Sequence, residues 1–417
     1  MLLSILNRTN EETPMIEDKQ FTILCLASYE KGQEFMREAK RQGARVILIT
    51  SESLREIDWP KESLDAIYYI PDDSNAWDTK TMMNGINFLA RTEVFDRIVA
   101  LDDFDVEKAA MVREHLRIGG MGDTTARYFR DKLAMRTRAF EKGIAVPPFL
   151  HVLNHDQLND FFAKIEPPYV IKPRMQAGSI GIKKVYSAQE AWDVINSLGD
   201  QQSYYLIEKF IQGNVCHVDS IINNKEVIYS LSSKYGTPPM EVAHEGRVFT
   251  TRTLKQGSEL DKQLREFNGE VLFSLGLVYG VSHTEFIEAN DGKLYFLETS
   301  ARVGGAHIVE LIEAATGMNL WAEWAKLETL DDREKYELPK IKKNFAALLN
   351  SLAKQEYPNL DQFNDKEVVW RLKKQYHAGL VISSPKEERI DELLKNYTQR
   401  FYDEFFAFTP MKDRPTN

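Results

Sequence analysis

The sequence predicts a Rossmann-like α/β domain followed by a larger α+β body, and three observations carry that expectation. From Phe21 to Leu101 short apolar runs alternate with helical patterns, the spacing of βαβ units and of a parallel sheet covered by helices. From Asn154 to about Gly199 strands and capped helices alternate more loosely, as in a small α+β lobe. From Tyr204 strands dominate, and they end in a hairpin signal at Asp291-Gly292. The 417 residues, 43% of them apolar, suffice for two or three domains.

The elements follow in order. Residues 1–19 are polar and read as a flexible extension, with Met15 as an alternative start. The first domain, 20–120, runs FTILCLA, a helix over Lys31 to Gln42, ARVILIT, LDAIYYI, a helix over Lys80 to Thr92, and FDRIVAL. The turn after its first strand is SYEKGQ, so the dinucleotide fingerprint GxGxxG is absent and a nicotinamide enzyme loses its main support. A long helix is expected from Thr124 to Lys142, stopped by Gly143 and Pro147-Pro148. The small lobe, 121–203, adds a helix opened by Asn154, the strand YVIKP, a glycine-containing loop, the strand IKKVY and a helix with the capping box Ser187 to Glu190. The large lobe, 204–335, carries YYLIEKFI, VCHVDSII, EVIYSLSS, RVFTTRTL, a helix near 259–275 and the hairpin. Residues 336–417, with VVWRL, AGLVIS and a helix from Glu387 to Tyr397, read as a small appended α+β subdomain.

Composition excludes several classes of function. With 53 Lys plus Arg against 63 Asp plus Glu, general binding to nucleic acid or an anionic membrane is not expected. No stretch reaches eighteen apolar residues, and MLLSILNRTN lacks a basic flank and a cleavage signal, so the expected location is the cytoplasm. Cys25 and Cys216 offer neither a disulfide framework nor a zinc pattern.

The hairpin His283 to Gly305 is the segment richest in chemistry. If Asp291-Gly292 is a two-residue type I′ turn, Glu285 lies opposite Glu298 and His283 opposite Ser300. At about 4 Å and an effective dielectric near 20, two such charges repel by roughly 4 kcal/mol, so water or a cation must stand between them. Alternation brings Ser300 and Arg302 to the same face, and Gly304-Gly305 then break the strand ahead of a helix from about His307. That surface suits an anionic ligand carried with a divalent metal; a solvated hairpin, its glutamates turned towards Lys293, fits the same pattern.

Other candidates lie upstream. Lys172 ends the strand YVIKP, just before Gly178, Ser179 and Gly181, whose small side chains let backbone N–H groups approach phosphate oxygens. A plain hairpin turn is the alternative. Lys132, within the expected long helix, is either a solvated charge or a lysine reaching along an apolar strip towards a neighbouring lobe. Residues 204–214 pass from a buried strand into a polar connector, which suits an adenine ring or an ordinary edge strand. His217 is a ribose contact or a polar residue on a strand. The Gly- and Pro-punctuated stretch 233–247 reads as a long loop, with Tyr235, Glu241 and His244 as candidate substrate contacts and Arg252 and Arg302 as candidates for a substrate carboxylate; surface solvation is the alternative for each.

Taken in order, Asp131-Lys132, VIKP at 170–173, AGSIG at 177–181, EKFI at 208–211, HTEF at 283–286 and LETSAR at 297–302 resemble the ATP-grasp superfamily over roughly residues 121–335. The resemblance implies a nucleotide held between the two lobes behind a pre-ATP-grasp domain, with ATP and Mg2+ or Mn2+ as cofactors. It places Lys132 and Lys172 on the phosphates, closes the loop from Gln176 through Gly178, Ser179 and Gly181 over them, and gives adenine to Glu208, Lys209, Phe210 and Ile211. His217 would be the ribose contact. Glu285, Glu298 and Ser300, the last in place of the family's usual asparagine, would hold the metal. Arg302, Lys172, Gly304 and Gly305 would act on the transferred phosphoryl group. Asn214 stands where the family has an acid. The motif style is most similar to the L-amino-acid (dipeptide) ligase and carnosine-synthase-like group. That implies small-molecule carboxylate and amine substrates joined through an acyl phosphate, and a homodimer as a common assembly. A bicarbonate-activating carboxylase similar to biotin carboxylase and a non-catalytic ATP-binding relative remain the alternative readings.

Overall fold

The structure is a computed structural model that describes residues 20–73 and 76–408; the extension and the alternative start at Met15 lie outside them. The first domain is a four-stranded parallel sheet in the order Ala66–Ile70, Arg45–Ser51, Thr22–Ala27, Arg97–Ala100. Its central runs, TILCLA and VILITS, are buried throughout, because helices cover both faces. Gln33–Arg41 and Leu320–Thr329 pack on one side, where Phe35 meets Trp324 edge-on at 5.1 Å. Thr79–Leu89 and Val106–Leu116 pack on the other. The chain first builds outward from Thr22–Ala27 and then returns to its opposite side with Arg97–Ala100. Connections at such a switch point diverge and leave a crevice at the carboxyl ends of the strands.

The expected helix from Thr124 to Lys142 is two helices, Asp123–Arg127 and Lys132–Glu141. Asp131 breaks it: its backbone is extended, and its carboxylate accepts the N–H groups of Leu133 at 3.0 Å and Ala134 at 3.4 Å as an N-cap. The same carboxylate holds Arg174. Lys132 therefore starts a helix instead of sitting on the flank of one.

The small lobe is an antiparallel sheet in the order Phe149–His151, Tyr205–Lys209, Tyr169–Pro173, Lys183–Val185. Its helices, His155–Lys164 and Ala188–Ser197, are capped by Asn154 and Ser187. The strand Tyr205–Lys209, expected to open the large lobe, lies between two strands of this sheet. All remaining long strands form one antiparallel sheet in the order Leu294–Ser300, Gly280–Ala289, Gly213–Asn223, Glu226–Tyr235, Phe249–Thr253, Phe345–Leu352, His377–Ser384, Val368–Arg371. The last three come from the segment 336–417, so what reads as an appendage extends the large lobe's own sheet. Helix Glu387–Glu404 covers that extension through Ile390, Leu393, Tyr397 and Phe401.

The hairpin differs from its expected turn in a way that matters for the site. Ala289 N–H donates to Lys293 O at 2.9 Å and Gly292 N–H to Ala289 O at 2.8 Å, so the loop has three residues, with Gly292 at φ 81°. Neither Asn290 nor Asp291 takes the positive φ that a type I′ turn requires, and a left-handed glycine closes the loop instead. This shifts the pairing by one, giving Glu288 with Leu294, Ile287 with Tyr295 and Phe286 with Phe296. The register then shifts again between Glu285 and Phe286, where Leu297 is left unpaired, and Glu285 faces Glu298 while His283 faces Ser300. A one-residue slip turns side chains to the opposite face. Phe286 and Phe296, both fully buried with ring centroids 6.2 Å apart, anchor the hairpin just before that bulge. Phe296→Ala should lower the unfolding free energy by about 3–5 kcal/mol in urea titration; a loss below about 1 kcal/mol would mean that this pair does not hold the hairpin.

Candidate active site

A cavity of about 590 Å³ opens where the switch-point crevice, the glycine loop and the far end of the hairpin meet. Of the residues singled out from sequence, Lys132, Gln176, Gly178, Ser179, Tyr235, His283, Glu285, Glu298, Ser300, Arg302, Gly304 and Gly305 line it. They come from segments more than 170 positions apart.

Lys132 is the joint between the lobes. Its ammonium donates to Gln176 O at 2.7 Å and lies 3.1 Å from Glu298 Oε2, while its backbone N–H donates to Arg174 O at 3.0 Å. Burial works against the Glu298 charge, but Lys132 and then Lys172 outweigh it and hold that carboxyl below the ordinary range. Gly178 and Ser179 both take left-handed backbone, φ 65° and 62°, and so turn the loop over the cavity. Gly181, at φ 70°, closes the loop against Pro173 rather than on the cavity.

Lys172 lies behind this wall. It is buried and paired with Glu208, whose second oxygen accepts from Arg136 Nε at 3.1 Å. Burial pushes the Lys172 ammonium down to about 8 against the pull of Glu208. Burial also opposes the Glu208 charge, yet Lys172 and Arg136 together keep its carboxyl low. The Glu208 side chain thus faces inward, away from the connector. Lys209 spends its ammonium on the carbonyls of Glu166 and Pro167, and Lys184 lies 3.5 Å from the Phe210 ring centroid. Among the described residues Ile211 N–H has no protein acceptor.

His217 is not available to a ribose. It is fully buried beneath the cavity, with Nδ1 2.7 Å from Asp219 and Nε2 2.8 Å from Thr251 Oγ1. Asp219 also takes His283 Nδ1 at 2.9 Å. His217, Asp219 and His283 cluster closely enough to be a metal-ligand set, but separations of 2.7 and 2.9 Å are those of hydrogen bonds to one carboxylate. Above them, Tyr235 donates to Glu285 Oε1 at 2.8 Å, and His283 Nε2 lies 3.6 Å from the same oxygen. Burial pulls the His283 imidazole down, but Asp219 and Glu285 raise it to about 10.

Arg302 is tied to Asp103 of the first domain and donates to Val303 O at 2.6 Å. Although burial acts against both charges, their attraction holds the Arg302 guanidinium well above and the Asp103 carboxyl well below their usual ranges. Gly304 leaves no space for a side chain, since a Cβ there would meet Ile308 at 2.8 Å and Asp219 Oδ1 at 2.9 Å. The stretch 233–247 is partly helical, over Pro239–Glu245. Arg252 is turned away and paired with Glu387 and Asp391.

The motifs pass over the first domain's share of the cavity, Lys31 paired with Asp102 together with Asp103 and Phe104, and over Arg130, which follows that domain. The usable signal is topological, because SYEKGQ and LDDFD follow the two strands that flank the switch point. Arg136 and Asp219, charges inside apolar runs, are signals of a different kind.

The sequence profile of the ATP-grasp domain matches residues 165–310. The chain carries an ATP-grasp domain. It is similar to the L-arginine-specific L-amino acid ligase of Bacillus subtilis, with 25% identity over 62% of each chain. It is also similar to the alanine–anticapsin ligase of Bacillus subtilis strain 168, with 21% identity over 64% of this chain and 60% of that one. The chain thus spans about three fifths of the length of these curated relatives. The ATP-grasp fold extends beyond the profile match. The crystal structure of an L-amino acid ligase from Bacillus licheniformis superposes with a TM-score of 0.74 at 17% identity, covering 94% of this chain and 99% of that one. No helix among the described residues is long and apolar enough to cross a membrane.

His283 is folded into a raised pKa, so its contribution to stability is complete below about pH 6.5 and is lost as pH rises towards about 10. In Asp219→Asn the His283 NMR titration should move down by more than one pH unit. An unmoved midpoint would show that Asp219 does not hold the proton there.

Proposed function

We propose that this chain is an ATP- and magnesium-dependent ligase that joins a small carboxylate to an amine, with amino acids as the substrate class and release of ADP and phosphate. The observation that carries the reading is the facing pair Glu285 and Glu298, joined through Lys132 to the loop over Gln176 to Ser179 in one cavity. The donor set at that face, two carboxylates and the Ser300 hydroxyl, is all oxygen and suits Mg2+ or Mn2+. Glu285, Glu298 and Ser300 would hold the cation there, and it would supply charge neutralisation for the phosphates.

The residues divide the work as follows. Ile211 N–H and the backbone from Glu208 offer the edge that recognises adenine, with Phe210 beside it. Lys132 and Lys172 take the phosphates, and the left-handed Gly178-Ser179 turn presents backbone N–H groups over them. A substrate carboxylate oxygen attacks the γ-phosphorus as the bond to ADP breaks. The amine nitrogen then attacks the acyl carbon, phosphate leaves and the amine gives up a proton. Arg302, fixed by Asp103, places a guanidinium where charge develops on the phosphoryl group. Catalysis by these residues is positioning and charge neutralisation.

Purified chain incubated with Mg2+ and ATP should form ADP on addition of amino acids and yield a new amide mass. ADP formation that depends on bicarbonate would instead support a carboxylase, and tight ATP binding without turnover a non-catalytic relative. Lys172→Ala should reduce ADP formation by about 10²–10³-fold while retaining the far-UV circular dichroism spectrum; near-normal turnover would remove Lys172 from the site. Because Lys172 gives up its charge as pH rises through about 8, kcat/KM for ATP should fall above that pH. Lys172→Arg should shift that fall upward, and an identical profile in the variant would assign it to another group.

A further inference from the structure

A second cavity of about 470 Å³ lies on the other side of the strand Arg97–Ala100, walled by Gly119–Gly122, by Gly276–Gly280 and by Trp324, Glu328 and Arg333. We propose that it binds a small organic anion, a carboxylate or phosphate group on an apolar body. Its test rests on the proposed function only in using ADP and Mg2+ to occupy the first cavity.

Three arginines, Arg97, Arg113 and Arg333, line this space, and among the described lining residues Glu328 is the sole carboxylate. Glu328 is already engaged. One oxygen accepts from Trp324 Nε1 at 3.1 Å, and the other takes Arg333 with Arg97 Nε 3.9 Å away. Arg113 is 8% exposed and meets only carbonyls, donating from Nε to Ile98 O at 3.0 Å and from Nη1 to Met121 O. Asp96 and Asp331 act on Arg97 from outside the cavity.

The Nε–H groups of Arg97 and Arg333 are buried without an acceptor. Unpaired donors on buried charges are costly, so such groups signal a missing partner. Burial, and then the neighbouring Arg333, push the Arg97 guanidinium down; burial is the main cause of the same shift at Arg113, to about 10. The Arg97 Nη groups already donate to Asp96 O at 2.9 Å and Leu330 O at 3.3 Å, so an acceptor oxygen would be met by the Nε–H groups in charge-assisted hydrogen bonds, which would relieve both the crowding and the unpaired donors. The remaining walls, including Val99, Leu277 and Tyr279 under Arg333 at 4.6 Å, favour an apolar body over a bare ion. The volume is in the range of small-molecule sites.

The cavity also shares structure with the first. The strand Arg97–Ala100 leads directly to Asp102 and Asp103, and Ala301, which lines the second cavity, adjoins Arg302, which lines the first. An anion here therefore braces the backbone that carries the Asp103–Arg302 pair.

The test uses the full chain with the first cavity saturated by ADP and Mg2+. Succinate and phenyl phosphate are titrated separately by calorimetry at ionic strength held constant with NaCl. At least one should bind saturably, and which one binds distinguishes a carboxylate from a phosphoryl ligand. Arg97→Gln and Arg333→Gln should each weaken binding at least ten-fold with ADP affinity unchanged. Arg97→Lys, which keeps the charge and removes the unpaired Nε–H, should weaken it as well and serves if a glutamine variant does not fold. No saturable binding of either anion at tens of millimolar, or undiminished binding in all variants that fold, would overturn the proposal.

Discussion

Holding two carboxylates face to face is the constraint around which the rest of this structure is arranged. Left bare, Glu285 and Glu298 would repel by roughly 4 kcal/mol at close range, and each is met by a different device. Glu298 is answered by Lys132, a lysine placed at a helix start by Asp131. Glu285 is answered from below by Tyr235 and by a His283 that Asp219 keeps protonated. The compensation is incomplete on the cavity side, which is where the proposed metal acts. The facing register itself rests on the unpaired Leu297, since without it Glu298 would turn to the other face.

The second dependency is the attachment of the parallel-sheet domain. A switch-point crevice gives a place for a ligand but no chemistry of its own. Here its loops supply Asp103 to Arg302, so the guanidinium at the end of the hairpin is positioned by a residue 199 positions earlier. Arg302 is thus held from two sides, by Asp103 of the first domain and by the neighbouring Val303 carbonyl, and the cavity it lines is shared between domains.

Much of this was legible in sequence because it is periodic or local. The βαβ alternation, the caps at Asn154 and Ser187 and the pairing of Glu285 with Glu298 follow from patterns of two to four residues. The pairing was nevertheless reached through the wrong turn: a three-residue loop and a bulge displace the register in opposite senses and cancel, and the bulge has no mark in LETSAR. The break at Asp131 was hidden because an aspartate inside a helical pattern reads as a solvated charge until Arg174 and the cap geometry are known. For His217 the sequence leaves a ribose contact and a polar residue on a strand both open, for the converse reason. Its partners Asp219 and Thr251 come from its own strand and from one two strands away, and only the sheet order reveals that they surround it.

The buried trio Lys172, Glu208 and Arg136 would let the lysine proposed to bind phosphate keep its charge inside the protein. A lone buried lysine would lose its proton, and a simple lysine–glutamate pair would strand a bare carboxylate whenever the lysine moved to another partner. Glu208 has two cationic partners, one on each oxygen. If Lys172 turns towards a phosphate, Arg136 still satisfies Glu208, and the charge released at the cavity is not set against a full unpaired charge behind it. Arg136 is fully buried and retains two further nitrogens without acceptors, so it has the capacity to accept the whole carboxylate. The arginine that no motif marks is thus the residue that lets the marked lysine move.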